Sequence, residues 1–477
     1  MKRVAVVGGG TAGLAAALRL LGAARARAAG LEIVLLEAKD RLGGTIATER
    51  TGGFLIEAGA DAFITEKPWA LGLCERLGLG DRLIGTRPGD RHTYVVRHGR
   101  LVAVPEGFVM IAPTDPWTVA TSPLFSWRGK LRMLLDLALP RRADDTDESV
   151  AAFVRRRLGR EALERVAEPL LGGIYTGDAE RLSLRATMPR FVELERRHRS
   201  LIVGLRATAR TRDAGARYSL FVTHVEGMGG LIGDLARRLP EGVVRLGAGV
   251  TGLARNGESW RLAAGGLGFT ADALVIAVPA YAAASLLEGL DSTLARALEA
   301  IEHASSATVT LAYRVADLPR GLPGFGFVVP AVERRSILAC SYPSRKFAGR
   351  APDGHELVRA FVGGALRPDL LDLDDEALIA LVEAELAGLL GVAARPLLVR
   401  VHRHAGAMPQ YHVGHEARVA AIEPRAAAIP NLALAGAAYH GVGVPDCVRS
   451  GEAAADAVLA ALGYAGSGFD DTAIATG

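Results

Sequence analysis

The string Gly8-Gly9-Gly10-Thr11-Ala12-Gly13 constrains this chain more than any other. It follows a short β-branched run, Val4 to Val7, and opens a stretch in which Leu14, Leu18 and Leu21 share one helical face. A second apolar run, Ile33-Val34-Leu35-Leu36, ends at the acidic Glu37. Strand, glycine turn, helix, strand and acid in this order form a βαβ unit built to hold a dinucleotide. Gly8 permits the tight turn, Gly10 lets the backbone approach a pyrophosphate, and Gly13 lets helix and strand pack closely. The helix N-terminus, opened by Thr11 and Ala12, turns free N–H groups toward phosphates, and Glu37 would take the ribose hydroxyls.

The chain has 477 residues, room for roughly three domains at ~150 residues each. It is 50% hydrophobic and 23% charged, which excludes a disordered or fibrous polymer and requires a large core. Cys74, Cys340 and Cys447 are odd in number and far apart, so no disulfide framework or CxxC pair is expected, and the setting is a reducing, cytoplasmic one. The formal charge is +4 and the pI near 9.0. Lysine appears only five times among 56 basic residues, and the arginines are spread along the chain, as a GC-rich genome would impose. Aromatics are 5% and do not interleave with a basic patch, so no nucleic-acid partner is expected. The N-terminus enters a strand pattern directly and does not resemble a signal peptide. The longest run without Asp, Glu, Lys or Arg, 426–445, contains Pro430, Asn431 and several glycines, so no spanning helix is expected.

Beyond residue 105 the texture changes. Pro113, Pro116 and Pro123 with Trp117 and Trp127 punctuate 105–127, and Leu131, Leu134, Leu135 and Leu139 follow. This segment reads as a lid over a cavity, with peripheral contact to a membrane surface as the less favoured alternative. Val150, Phe153, Val154 and Leu158 form an apolar stripe behind Asp147, the expected N-cap. Leu274 to Val278 predicts a buried strand, 374–391 an amphipathic helix, Leu432 to Ala435 a last strand, and 466–477 a frayed tail.

A second glycine turn follows Glu37 at once: Ala38-Lys39-Asp40-Arg41-Leu42-Gly43-Gly44-Thr45, then Glu57-Ala58-Gly59-Ala60-Asp61. Near the C-terminus stand Leu434-Ala435-Gly436 and Gly441-Val442-Gly443-Val444-Pro445-Asp446. These elements resemble the flavin-containing amine oxidase superfamily, whose RxGG turn follows its ribose-binding acid and whose C-terminal loop meets the isoalloxazine and ribityl chain. The resemblance implies bound FAD and extends to Gly227-Met228-Gly229-Gly230, to Val250 beside the adenine, and to Ala277 in a strand ending at Pro279 beside the cofactor. It implies FAD contacts at Gly8, Gly10, Thr11, Ala12, Gly13, Glu37, Ala38, Arg41, Leu42, Gly43, Gly44, Thr45, Gly59, Ala60, Asp61, Val250, Ala277, Gly436, Val442, Gly443 and Val444. Nothing matches the superfamily's covalent flavin–cysteine attachment, so FAD is expected to be non-covalent.

Four longer strings narrow the resemblance. They are Thr93-Tyr94-Val95-Val96 leading to Leu101 to Pro105; Glu168-Pro169-Leu170-Leu171-Gly172-Gly173-Ile174-Tyr175 with Thr176 to Leu184; Met408-Pro409-Gln410-Tyr411-His412-Val413-Gly414-His415; and Gly441 to Cys447. Together they resemble the porphyrinogen oxidases of haem synthesis from about residue 3 to 463, and most closely the oxygen-dependent coproporphyrinogen III oxidases of Gram-positive type. The implied fold is α/β + α: a discontinuous Rossmann-like FAD-binding domain (1–90, 221–282, 426–465), an inserted α+β substrate domain (91–108, 283–425), a helical lid or membrane-facing domain (109–220) and the tail.

The implied reaction removes six electrons from a porphyrinogen in three two-electron steps, with FAD taking hydride and dioxygen reoxidising it to give hydrogen peroxide. Such chemistry needs positioning and exclusion of water more than a strong base, in keeping with a sequence that shows no Ser/His/Asp constellation and no recognisable carboxylate pair. Gly173 matches the glycine whose backbone lies over the flavin and steers the macrocycle; its bland alternative is a turn glycine between two helices. Thr93 stands where the mitochondrial-like protoporphyrinogen type has Arg, which favours coproporphyrinogen III with its four propionates. Tyr411 and His412 are expected to line the substrate cavity, Arg345 and Lys346 are candidates for propionates, and His404 replaces a family Trp.

His402, His404, His412 and His415 lie close in sequence, but without supporting ligands no metal site is expected. Rival readings are a protoporphyrinogen IX oxidase, an amine oxidase or carotenoid desaturase, and an FAD-holding tetrapyrrole-binding protein without catalysis. Transfer of product to a ferrochelatase partner follows from the pathway alone.

Overall fold

The computed structural model describes residues 1–26, 30–89, 92–105, 107–209 and 219–464; the expected tail at 466–477 lies outside them. At the centre of the dinucleotide unit is a five-stranded parallel sheet. Its order is Val244–Arg245, Leu31–Leu36, Lys2–Val7, Ala273–Ile276 and Leu432–Leu434, so it draws strands from the start, middle and end of the chain. Val4 pairs with Ile33 on one side and Ala273 on the other, and Ile276 with Leu434. Val4, Val6 and Val275 are buried, as strands covered on both faces must be.

Helices Thr11–Ala26 and Val444–Ala461 cover one face and share its core with Leu14, Leu18, Leu35 and Val458. Small residues let these helices approach closely. A Cβ on Gly451 would lie 2.0 Å from the Ala12 carbonyl, and one on Gly13 would lie 1.8 Å from the Gly8 carbonyl. The other face carries the antiparallel strands Val250–Asn256, Ser259–Ala264 and Leu267–Ala271, whose Trp260 is fully buried.

A seven-stranded sheet forms a second layer, in the order Leu398–Pro409, His303–Arg314, His355–Gly363, Ala339–Ser341, Gly326–Val328, Thr93–Arg97 and Arg100–Ala103. It is antiparallel except where Gly326–Val328 runs parallel to Thr93–Arg97. Helix Asp375–Leu390 packs Leu378, Val382 and Leu386 on one face. Asp374 caps that helix by accepting from the Ala377 N–H, and Gly391, at φ +73°, ends it.

The third core is helical, built on Val150, Phe153, Val154, Val166 and Leu171. The apolar stripe lies where periodicity places it, but its cap does not. Ser149, not Asp147, accepts from the Ala152 N–H; Asp147 instead accepts from the Ser183 hydroxyl (2.8 Å) and the Gly414 N–H (3.0 Å). A side chain two residues further out cannot reach the first turn, and its carboxylate ties down distant chain instead. From Arg160 the helix widens into a π turn over Leu163–Ala167 just before Pro169. Pro169 has no N–H to give and its ring would press on the preceding turn, which the wider turn relieves.

In 105–127, Ile111, Ala112, Val119, Leu124 and Phe125 join this core, while Trp117 and Trp127 are 72% and 66% exposed. No helix among the described residues is long and apolar enough to cross a membrane.

One ion pair anchors the helical region. Arg157 and Asp136 are both fully buried; Arg157 Nε donates to Asp136 Oδ1 at 2.7 Å, and Asp136 Oδ2 accepts from Ser200 Oγ at 2.6 Å and Ile202 N at 3.2 Å. Removing one member leaves a buried charge alone, at a cost of about 3–5 kcal/mol. Arg157→Ala is therefore expected to lower the denaturant midpoint of the tryptophan-fluorescence transition, and Arg157→Lys to recover only part of the loss.

Candidate functional site

The C-terminal edge of the parallel sheet is lined with glycine backbone. Gly8, at φ +103°, follows the first strand, and a Cβ there would lie 2.6 Å from the Ala277 carbonyl. Ala277 N in turn donates to Val7 O at 2.8 Å, fixing the two strand ends together. Gly10 faces open space, with nothing within 4 Å of where its Cβ would be. The adjoining helix of 16 residues has no acid in its first turn, so nothing there competes with an anion for its N–H groups.

Glu37 is buried just beyond the second strand. Its carboxylate accepts from Gly9 N at 2.6 Å and Lys39 N at 2.8 Å. Ala248 N donates to Glu37 O, and Ala38 Cβ lies 3.1 Å from the Cβ position of Gly249, which brings Val250 to the acidic end of the edge.

The second glycine turn folds onto the first. Gly43 N donates to Gly9 O at 2.8 Å, and the Cβ position of Gly44 lies 3.5 Å from Gly10 Cα. Arg41 braces the turn from inside, donating to the carbonyls of Leu42, Gly44 and Ile46. Gly59 lies against it, since a Cβ would be 2.2 Å from Thr45 O. Gly436 sits by Val278 O and its N–H donates to Ser450 Oγ. Gly443 N donates to the buried Asp446, whose Oδ2 also accepts from Lys67 Nζ at 2.6 Å. Gly8, Gly10, Gly13, Glu37, Gly43, Gly44, Gly59, Ala277 and Gly436 thus meet along one edge. The open Gly10 face, the acid-free helix start and the buried acceptor Glu37 fit a flavin dinucleotide.

Several neighbours of this edge carry no local sequence signal. Arg359 donates from one guanidinium nitrogen to both Ala58 O and Gly59 O at 2.8 Å, and His404 Nε2 donates to Ala58 O at 2.9 Å. The residue standing in for the family Trp therefore holds the cofactor loop by a hydrogen bond. Lys346 is engaged by Asp61 at 3.2 Å and Arg345 by Glu356 at 3.5 Å, so both candidates for propionates already pair within the protein. Asp61 is held below the usual carboxylate range: burial alone would raise it, but Lys346 and Arg359 outweigh that.

Gly173 is not a turn residue. It lies in the last turn of helix Glu168–Tyr175, which ends at Thr176 in the left-handed region (φ 48°). Two glycines inside a helix cost about 1 kcal/mol each, a cost that marks a surface kept free of side chains. A Cβ on Gly172 would meet nothing within 4 Å, and one on Gly173 would touch Val328 Cγ1 at 3.7 Å and Ala339 Cβ at 3.9 Å. Thr93 pairs in register with Gly326, and Val95 with Val328, so Thr93 lies on the same sheet face, two residues along from Val95.

Tyr411 and His412 sit elsewhere than a cavity wall requires. Tyr411 is 1% exposed, its ring stacked on His415 at 3.9 Å. His412 bridges to Leu182 and lies 3.3 Å from Arg181 and 3.5 Å from Glu302. His404, His412 and His415 have separate partners, and among the described residues no group of three His, Cys, Asp or Glu side chains is placed to hold a metal. Cys447, in the first turn of the last helix, has its thiol pushed up to about 12 by burial.

Comparison with known proteins agrees with this geometry. Residues 11–459 match the family described as flavin containing amine oxidoreductase. A coproporphyrinogen III oxidase of Bacillus subtilis (strain 168) is 35% identical over 468 residues, spanning 97% of this chain and 98% of that protein. A protoporphyrinogen oxidase of Bos taurus is 34% identical over 497 residues, spanning 96% and 98%. A crystal structure from Exiguobacterium sp. 255-15 superposes with a TM-score of 0.84 at 34% identity, covering 95% of this chain and 97% of that one.

Glu57 supplies a test of the site's electrostatics. It precedes the Ala58-Gly59 loop, accepts from Met228 N (2.8 Å) and Thr48 Oγ1 (2.6 Å), and burial pushes its carboxyl up to about 7 from the usual 4.5. The folded protein then keeps a proton that the unfolded chain releases, so this group's contribution to stability falls as pH rises from about 4.5 to 7. The full change is about 3 kcal/mol. Glu57→Gln is expected to flatten that part of the stability–pH curve, measured by denaturant titration at a series of pH values.

Proposed function

Since the chain belongs to the flavin containing amine oxidoreductase family, and within it to the porphyrinogen oxidases, we propose that it holds FAD non-covalently and oxidises coproporphyrinogen III to coproporphyrin III. Three dioxygen molecules each accept two electrons and two protons in this reaction, giving three molecules of hydrogen peroxide. The raised thiol of Cys447 supports non-covalent binding, because a neutral thiol is a poor nucleophile.

Bound FAD supplies the hydride acceptor; the chain's own residues bind, orient and exclude water. Gly8, Gly10, Gly13 and the start of the first helix hold the pyrophosphate, Glu37 the ribose, and Arg41 through Thr45, Gly59 to Asp61, Ala277, Gly436 and Val442 to Val444 the remaining length. Gly172 and Gly173 present bare helix surface, so that a broad macrocycle can lie against it. Val328 and Ala339 supply an apolar floor that keeps water from the reacting carbon.

The single observation that carries the substrate choice is Thr93, small and uncharged on the face shared with Val328, at a place where the resemblance implies Arg in the mitochondrial-like protoporphyrinogen type. The neutral residue leaves room for the extra propionates. The same reading divides the chain near residues 90, 108, 220, 282 and 425, and assigns product transfer to a ferrochelatase. Trp117, Trp127 and Leu131, exposed beside Arg128 and Lys130, support a peripheral contact with an anionic membrane.

The test is direct. Purified yellow protein is given each porphyrinogen under air while porphyrin fluorescence and peroxide are followed. Faster turnover of coproporphyrinogen III, with three peroxides per porphyrin, is expected. Faster turnover of protoporphyrinogen IX would reverse the substrate choice, and silence with both while flavin stays bound would favour a binding protein.

Gly173→Val probes the bare helix surface. Its Cβ has room beside Val328 and Ala339, so the fold should stand, but its methyls add bulk to the bare helix surface. An expected fall of at least tenfold in kcat/KM (about 1.4 kcal/mol), with unchanged flavin content and melting temperature, separates this from misfolding.

A further inference from the structure

The string Gln410–His415 touches two parts of the molecule that the reaction must keep in register. On one side it meets the helix that carries Gly173. Gln410 Nε2 donates to Tyr175 O at 3.0 Å, at the end of that helix, and Ser183 N donates to Tyr411 O at 2.7 Å. On the other side it meets the loop that follows Gly436. The Tyr411 hydroxyl donates to Ala437 O at 2.5 Å and accepts from Gly441 N at 2.7 Å, bracing both ends of that loop. His415, stacked on the same ring, donates from Nε2 to Tyr439 O at 2.9 Å between them.

Within the braced loop Ala438 and Tyr439 are buried, and His440 O accepts from Arg449. Gly441 takes φ +140°, and a Cβ there would lie 2.3 Å from Asp446 Cγ, so the turn passes too close to the helix start for any side chain. Tyr411 itself is buried, and burial holds its hydroxyl well above the usual range, so its proton stays available to Ala437 O. A fully buried phenol with both hydrogen-bonding capacities used is a rigid spacer.

We propose that Tyr411 is a positioning residue for flavin chemistry: its hydroxyl sets the 437–441 loop against the cofactor, while its carbonyl is held by Ser183 N and the neighbouring Gln410 side chain reaches the end of the helix carrying Gly173. The inference rests on the reading of 436–444 as the flavin-contacting loop. It replaces the expectation that Tyr411 lines the cavity, because a side chain 1% exposed between two backbone partners cannot meet substrate.

The test uses the holoenzyme and reads the flavin itself. Tyr411→Phe keeps the ring and its stack on His415 and removes only the hydroxyl. FAD dissociation should rise about tenfold, as expected when two backbone groups lose their partner. The visible flavin spectrum and midpoint potential should shift, and flavin reduction by porphyrinogen should slow with KM unchanged. Gly441→Ala, which forces the same loop from its other end, should reproduce the flavin changes.

Wild-type spectrum, potential and FAD affinity in Tyr411→Phe would overturn the proposal even if the enzyme oxidises porphyrinogen normally. A rise in KM alone would also overturn it and return Tyr411 to the substrate wall. If the wild-type protein fails to bind FAD, the underlying reading of the loop fails instead, and the two failures are told apart by the wild-type titration. Should Tyr411→Phe not fold, His415→Phe, which keeps a ring against Tyr411 and removes the donor to Tyr439 O in the same loop, decides the matter by the same flavin measurements.

Discussion

Everything else in this structure depends on how closely backbone can approach backbone at one end of the parallel sheet. Gly13 against Gly8, Gly8 against Ala277, Gly59 against Thr45 and Gly451 against Ala12 are all contacts in which a Cβ would fall within 2.6 Å of a carbonyl oxygen. These contacts draw strand ends, helix starts and loops from three distant stretches of chain into one bare edge. Strain is avoided by glycine, and the exposed polar backbone is the binding surface itself.

The second constraint is the relation of that edge to the helix ending at Tyr175. The reacting face of a flavin has value only if a substrate wall stands at a fixed height over it. On the function proposed above, two features would supply that wall: a helix stripped of side chains at Gly172 and Gly173, and the strands carrying Val328 and Ala339 against it. The string at 410–415 reaches the end of that helix through the Gln410 side chain and the loop after Gly436 through the Tyr411 phenol. Arg359 and His404 do similar work at Ala58 and Gly59. In each case a residue of the seven-stranded layer or its continuation holds a loop of the parallel-sheet layer, which is how separate cores act as one site.

Local pattern was enough to read the elements that depend on neighbours in sequence. The βαβ unit, the stripe at 150–158 and the helix at 375–390 follow from periodicity, because burial of one face dictates them. What stayed hidden depends on partners far away along the chain. Asp147 looks like a cap from its place before an apolar run, yet its carboxylate serves Ser183 and Gly414. Lys346 looks free to meet a propionate until Asp61 is found beside it, and His404 looks like a defect until Ala58 O is found within reach. Tyr411 stands in the most specific string of the chain, but specificity of sequence does not say whether a ring faces ligand or backbone. Only the three-dimensional hydrogen-bond partners decide that.

On the proposed function, the glycine edge holds a flavin whose reacting face meets a porphyrinogen held by the Gly173 helix. The most direct measurement is anaerobic: oxidised holoprotein is mixed with coproporphyrinogen III in a stopped-flow instrument and the visible flavin absorbance is followed. Rapid bleaching is expected, with the colour returning when dioxygen is admitted. A flavin that stays oxidised in the presence of saturating porphyrinogen would contradict it.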